Sequence, residues 1–353
     1  AKKARYAEIN WTMADDFEEA VDSEPDDSIL FVQAETGEAQ TRREADALAN
    51  QLAKWAHAPP GLRSSHTADT IIGARAQSNS SGSPHGAGLK AGDTICVMLP
   101  NRPELAAFAF GMAKAGVCTA LINTHQRGNA LLHAVRTALR GNSPTASRIL
   151  VVDDELCSQL GGEKILLQSG SDVGGYSDGS RSGSRGGSSS ISGSGGYSSS
   201  SSSRASEDNG RSTPPHLHVT VLTLREVQLE GACPFAPLPR PPGEWRKDVK
   251  PRDDFLLIFT SGTTGLPKAA AITHTKYAQG GAIFCAFLRP MARPGGRLYC
   301  ALPLYHSAGI VLGLSSVVRS GATMVLRKRF SARNFCSDIR RFDCVATQYI
   351  GEL

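Results

Sequence analysis

Apolar residues recur along this chain in short unbroken runs, each followed by a stretch in which they return at helical spacing. "ILFVQ", "GDTICVMLP", "VCTALIN", "RILVVDD", "VTVLTL", "FLLIF", "RLYCALP" and "ATMVLRK" read as strands, and "CVATQYI" as a closing one. Helices are predicted from about Pro103 to Ala115, Gly128 to Leu139, Thr275 to Phe287 and Ala308 to Arg319, with another beginning behind Ser331. Such alternation builds βαβ units, and continuous apolar runs are what strands buried on both faces require. The fold class expected is α/β with largely parallel sheets.

Two helix starts are marked near the N-terminus. In "TMADDFEEAV" Asp15 stands at capping-box distance from Thr12, and Thr41 with Glu44 forms an S/T-x-x-E box. Behind the second, Ala45, Leu48, Leu52 and Trp55 recur on one face and are predicted to be buried. Three stretches interrupt the pattern. Residues 59–88 form a loop insertion rich in Ser, Gly, His and Asn. Residues 169–215 are a Ser/Gly-rich insertion with too few apolar groups to offset the entropy of ordering, and are expected to be disordered. The proline-rich "CPFAPLPRPPGEWRKDVKPRDD" is expected to run along the surface.

At 353 residues the chain holds two average domains or one large α/β domain. Its net charge of +5 is mild and its basic residues are scattered, so nucleic acid is not an expected partner. The eight cysteines follow no C-x-x-C spacing and sit mostly in apolar runs, as small buried hydrophobes in a reducing compartment. No metal site is expected among them. The longest apolar run, Leu105 to Ile122, contains Lys114 and two glycines, whereas a membrane span takes about 20 predominantly apolar residues. A core helix followed by a buried strand is the better account, and an anchor upstream of residue 1 stays open. The chain stops inside the strand-like "CVATQYIGEL", which reads as a fragment.

The chemistry is concentrated in "FTSGTTGLPKAA", Phe259 to Ala270. It follows a buried strand and so falls at the carboxyl end of a sheet, where open α/β folds bind ligands. Gly262 and Gly265 allow backbone N–H groups to turn toward an anion, and Ser261, Thr263 and Thr264 add hydroxyl donors. Lys268 supplies a full positive charge on a long stem. A Walker loop would need G-K-[ST] with the lysine opening a helix. Here Leu266 and Pro267 separate Gly265 from Lys268, and Ala269 replaces the hydroxyl.

The whole stretch resembles the phosphate-binding motif of the acyl-adenylate-forming superfamily, which includes acyl-CoA synthetases, luciferases and peptide-synthetase adenylation domains. "LPLYHSAG", "LRKRFSARNF" and "QYIGEL" resemble the fatty-acid transport protein / very-long-chain acyl-CoA synthetase family within it. So does "GDTICVMLPNRPELAAFAFGMAKAGVCTALINTHQRGNALLHA". The likeness covers most of the chain outside the two Ser/Gly-rich insertions. It implies the large N-terminal domain of the adenylate-forming fold, residues 1–353 being part of it.

The implied activity is a two-step ligation. A long-chain or very-long-chain fatty carboxylate reacts with ATP, assisted by Mg2+, and CoA then accepts the acyl group. Thr260, Ser261, Gly262, Thr263, Thr264, Gly265 and Lys268 would bind ATP. Tyr305 and His306 would line the boundary between acyl tunnel and nucleotide, with a histidine capping the next helix as the competing reading. Tyr349 and Gly351 would lie near the pocket, an ordinary strand end being nearly as good an account. The resemblance also implies membrane association on a cytosol-facing surface: endoplasmic reticulum, plasma membrane or peroxisome. The magnesium-binding glutamate, the ribose-binding acid and the C-terminal domain with its lysine are expected beyond Leu353, so no catalytic residue is assigned within the chain. Two other readings stand beside this one: a non-catalytic fatty-acid or nucleotide-binding module, and an adenylating ligase for another carboxylate. Arg327, Lys328 and Arg329 read as a solvated strand end, and His125, His133 and His274 as structural.

Overall fold

The structure, a computed structural model, describes residues 11–58, 86–161, 218–231, 239–260, 265–288 and 295–351. The stretch 169–215 lies outside the described residues, as does all of 59–88 except its last three positions. There, Ala87 N and Gly88 N donate to the carbonyls of Trp55 and Ala58.

Helix α1 (Met13–Asp22) opens behind Thr12, whose backbone N–H donates to Asp15 Oδ2 at 2.8 Å. Strand β1 (Ile29–Gln33) turns through "ETGE" into a short antiparallel strand, β2 (Ala39–Thr41), that the hydrophobic pattern does not announce. Helix α2 (Arg42–His57) starts with the reciprocal cap expected of its box. Thr41 N donates to Glu44 Oε2 at 2.8 Å, and Glu44 N donates to the Thr41 hydroxyl at 3.1 Å. Ala45, Leu52 and Trp55 are buried as their spacing predicts, and Leu48 packs at the margin of the core.

The βαβ units follow in order: β3 (Thr94–Met98), α3 (Pro103–Lys114), β4 (Cys118–Leu121), α4 (Gly128–Leu139), β5 (Ile149–Val152), α5 (Asp154–Gln159), β6 (Thr220–Thr223), α6 (Leu224–Gly231) and β7 (Asp254–Thr260). Next come β8 (Lys268–Thr273), α7 (His274–Phe287), β9 (Arg297–Cys300), a π-helix (Ala308–Leu314), α8 (Ser315–Ser320), β10 (Thr323–Leu326), α9 (Ala332–Arg341) and β11 (Ala346–Thr347). One sheet has the order β6-β5-β3-β4-β7-β8 and the other β11-β9-β10-β1-β2. All neighbours are parallel except the pairs β7/β8 and β1/β2, one at an edge of each sheet.

Central strands β3, β4, β5 and β10 are buried at every residue, the result their unbroken apolar runs predict. Edge strand β8 departs from that expectation, with Lys268, Ala269 and Ala270 exposed. The closing strand also shrinks to two residues, so that most of "CVATQYI" lies outside the ladder. One apolar cluster unites both sheets, drawing on Ile95 and Leu121 from the first and Leu298 and Leu326 from the second. Against it, Phe17 of α1 stacks on Phe110 of α3 with centroids 4.0 Å apart.

Within the helical layer a full charge is buried. Lys114 has no exposed surface, and its Nζ spends its three hydrogens on Asp46 Oδ1 at 2.6 Å, Asn50 Oδ1 at 2.8 Å and Glu18 Oε1 at 2.9 Å. Arg246, from the segment leading to β7, donates to Glu18 Oε2 at 2.8 Å and to Asp15 Oδ1 at 3.0 Å. The network thus ties α1, α2 and α3 to that segment. The lysine that marks α3 as no membrane span in the sequence is the hub of a buried ion cluster. Removing one partner from such a cluster leaves uncompensated charge, which costs about 3–5 kcal/mol. Lys114→Ala should lose stability on that scale in urea unfolding, and Lys114→Met should fare little better because Asp46 loses its closest cation and Glu18 keeps Arg246 alone. A loss under about 1 kcal/mol would show that the cluster behaves as a surface ion pair.

Candidate functional site

Strand β7 carries the chain to the carboxyl end of its sheet, and the return on β8 makes the candidate phosphate loop the tip of a β-hairpin. Thr260 and Lys268 are paired across the ladder, with the Thr260 hydroxyl 3.5 Å from the Lys268 carbonyl. Lys268 thus stands on an anchored strand at that end of the sheet. Pro267 is buried directly before the strand, a position where its missing N–H breaks no ladder bond. Gly265 has φ +80°, a left-handed conformation that glycine adopts without strain. Thr260 and Lys268 are both exposed at this end, and among the described residues no acid pairs with the lysine Nζ. Ser261, Gly262, Thr263 and Thr264 lie outside the described residues. The Walker geometry is excluded, since the lysine opens a strand and not a helix.

The second motif occupies the carboxyl end of β9 in the other sheet. His306 N donates to Pro303 O at 3.1 Å, closing a turn that presents Tyr305 and His306 side by side, ring centroids 4.7 Å apart. Tyr305 is buried and His306 half-buried, and burial lowers the imidazole's pKa, favouring its neutral form. The next helix begins as π-helix, a local winding found often at functional sites. Its approach to the turn is close: a side chain at Gly309 would put Cβ 2.4 Å from Pro303 O. Gln348 Nε2 donates to Ala308 O at 3.1 Å, which brings the start of the "QYIGEL" stretch onto the π-helix behind the turn. Tyr349 projects into solvent at 66% exposure, and Gly351 is exposed with φ +70°. Neither is packed against Tyr305 or His306 in this arrangement.

Two residues carry more of this end than their sequence context suggests. Asn101, in the loop after β3, is buried between the sheets. Its Nδ2 donates to Leu302 O at 2.9 Å and Arg327 O at 3.1 Å, and its Oδ1 accepts from Leu304 N at 2.7 Å. Arg327 is not solvated as its basic run predicts. It is buried and ion-paired with Asp338 of α9, whose Oδ2 also accepts from the Tyr299 hydroxyl at 3.2 Å. An acid one helix away, at no fixed offset, leaves no motif by which to find such a pair. For Asn101 the available signal was an amide directly behind the strand-ending Pro100.

The arrangement is that of an α/β domain whose two candidate motifs lie at the carboxyl ends of strands in two mostly parallel sheets. The same fold occurs in the N-terminal domain of FACL13 from Mycobacterium tuberculosis, with a TM-score of 0.61 at 15% identity over 96% of this chain and 62% of that one. It occurs also in O-succinylbenzoate coenzyme A synthetase (MenE) from Bacillus subtilis in complex with ATP and magnesium ion. That match has a TM-score of 0.55 at 16% identity over 94% of this chain and 62% of the other. The family model described as AMP-binding enzyme matches residues 85–352, and the chain belongs to that family.

Among curated relatives, long-chain fatty acid transport protein 6 of Homo sapiens is 34% identical over 267 residues, 75% of this chain and 34% of the relative. Long-chain fatty acid transport protein 1 of Rattus norvegicus is 32% identical over 269 residues, again 75% and 34%. The resemblance read from the four motifs is thereby borne out. The chain spans about a third of the length of these relatives.

His125 is exposed, and His133 lies 3.5 Å from the Thr137 hydroxyl one helical turn on. His274 is buried at the start of α7, where its Nδ1 accepts from Met13 N at 3.1 Å and its ring stacks on Phe255. Burial lowers its pKa to about 4, with Asp253 and Asp15 opposing the shift. The unfolded chain therefore binds the proton first. The resulting stability is complete above the unfolded value of about 6.5 and is lost as pH falls through about 4. The loss amounts to something on the order of 3 kcal/mol. Urea unfolding followed across this window should show a steeper fall for the native chain than for His274→Asn, and coincident slopes would sink the assignment.

Proposed function

We propose that this chain is the ATP-binding and acyl-binding part of a long-chain or very-long-chain fatty acid–CoA ligase, within the N-terminal domain of the adenylate-forming fold. The observation that carries the reading is the hairpin of β7 and β8. It sets an exposed lysine and a threonine beside a glycine-permitted turn at the carboxyl end of a parallel sheet. The fatty-acid class is supported by the names of the relatives.

In the proposed reaction the fatty carboxylate attacks the α-phosphorus of ATP, forming the acyl–AMP mixed anhydride and releasing pyrophosphate. The thiol of CoA then attacks the acyl carbon, releasing AMP and a proton. Thr260, Gly265 and Lys268, with residues 261–264, would hold the β,γ-phosphates, and the lysine charge would stabilise the leaving pyrophosphate. Mg2+ would arrive on the nucleotide and share that charge. Tyr305 and His306 would mark the acyl side, the neutral imidazole positioning the substrate instead of acting as a base. Membrane association belongs to the same proposal. Among the described residues no helix is long and apolar enough to cross a membrane.

Lys268→Ala should weaken Mg-ATP binding about tenfold or more, the loss expected of a charge-assisted phosphate contact. Its melting temperature should stay unchanged because the side chain is exposed. Calorimetric titration of the 353-residue chain decides this, and equal affinity in both proteins would remove the hairpin from the site. A panel of fatty, aryl and amino acids titrated beside it tests the substrate class.

A further inference from the structure

The two halves of the proposed site stand on different sheets, so something must hold one in register with the other. We propose that Asn101 is the positioning residue that does so, locking the turn that carries Tyr305 and His306 to the carboxyl end of β3, in the sheet that bears the nucleotide half. The inference deepens the ligase reading and rests on it for the identity of the two ligands.

Asn101 leaves the carboxyl end of β3, where the strand order reverses between β4 on one side and β5 on the other. Such a switch point is the usual ligand crevice of an open parallel sheet. Yet all three recorded bonds of its amide run to the other sheet. Leu302 O and Leu304 N flank the start of the Pro303–His306 turn, and Arg327 O directly follows β10. An amide is suited to this task because it donates twice and accepts within one small neutral group. A carboxylate would face two carbonyls with no proton to offer, and an alkyl group would strand all three backbone groups.

The turn is pinned from its far side as well. Gly309 of the π-helix rests on Pro303 O with no room for a Cβ, so the turn is held between that helix and the amide. Arg327, whose carbonyl is the third partner, is itself fixed by its ion pair to Asp338. Asn101 thus meets a rigid frame, and its loss would free the turn while leaving the frame in place. The phosphate hairpin, at the far edge of the six-stranded sheet, shares none of these bonds.

Asn101→Ala and Asn101→Asp in the 353-residue chain test the proposal at a temperature where circular dichroism shows both folded. Amide exchange over residues 301–306 should accelerate about tenfold, with exchange in β3 and β4 unchanged. Affinity for cis-parinaric acid, a fluorescent long-chain fatty acid, should fall about tenfold, while Mg-ATP affinity stays within about twofold. A purely structural amide would weaken both ligands together or leave the turn's exchange unmoved, and either result overturns the proposal. A native chain that binds neither probe counts against the ligase reading instead, and the exchange measurement then decides the clamp by itself.

Discussion

The carboxyl ends of the two sheets face one another, and the amide of Asn101 bonds them across the gap. A parallel strand delivers the residues that follow it to the same end as its neighbours, so each sheet gathers its loops on one side. Placing those two sides together is a separate requirement. The apolar cluster shared by both sheets supplies the adhesion, but burial is non-directional and tolerates small rotations of one sheet on the other. Hydrogen bonds to backbone groups have preferred distances and angles, so three of them from one side chain convert loose adhesion into a defined register.

Buried charge serves a similar purpose elsewhere in the fold. Lys114 joins three helices, Arg327 joins β10 to α9, and Arg42 at the start of α2 donates to the carbonyls of Val317 and Ala322 around the end of α8. Burial pulls the Arg42 guanidinium down to about 10, so it remains charged at neutral pH and still needs those carbonyls. Such groups contribute little net stability compared with well-packed apolar replacements. Their effect is discrimination: a helix slid by one residue would leave a charge without a partner. Cys96, Cys118 and Cys300 show the converse, thiols whose pKa burial raises and which act as small apolar filling.

The sequence makes the central strands and most helices legible because their burial is one-sided or complete. Unbroken runs mark β3, β4, β5 and β10, and caps mark the starts of α1 and α2. It is silent where burial is partial. "KAAAIT" becomes β8 although small residues with no alternation announce neither strand nor helix, and "AQT" becomes β2 for want of any better partner beside β1. The candidate site divides along the same line. The glycine- and hydroxyl-rich loop motif and the Tyr305–His306 motif are each contiguous in sequence and legible there, whereas the hairpin that carries the first is not. Asn101 and the Arg327–Asp338 pair depend on residues 201 to 226 positions apart, or on a helix packing back on a strand, and no local pattern encodes them.

The proline that breaks the Walker spacing also decides where positive potential can come from. A lysine at a helix start is reinforced by the helix dipole. At the head of an edge strand that reinforcement is missing, because the dipoles of neighbouring strands largely cancel. Under the proposed reaction the field at the phosphates would therefore come from Lys268 itself and from the backbone N–H groups of the turn. The β7 ladder fixes the Lys268 backbone opposite Thr260, and the four-carbon stem gives its charge reach without moving the strand. A cation with a fixed root and a free head could follow pyrophosphate as it departs, a freedom that a helix-capping lysine beneath the phosphates does not have.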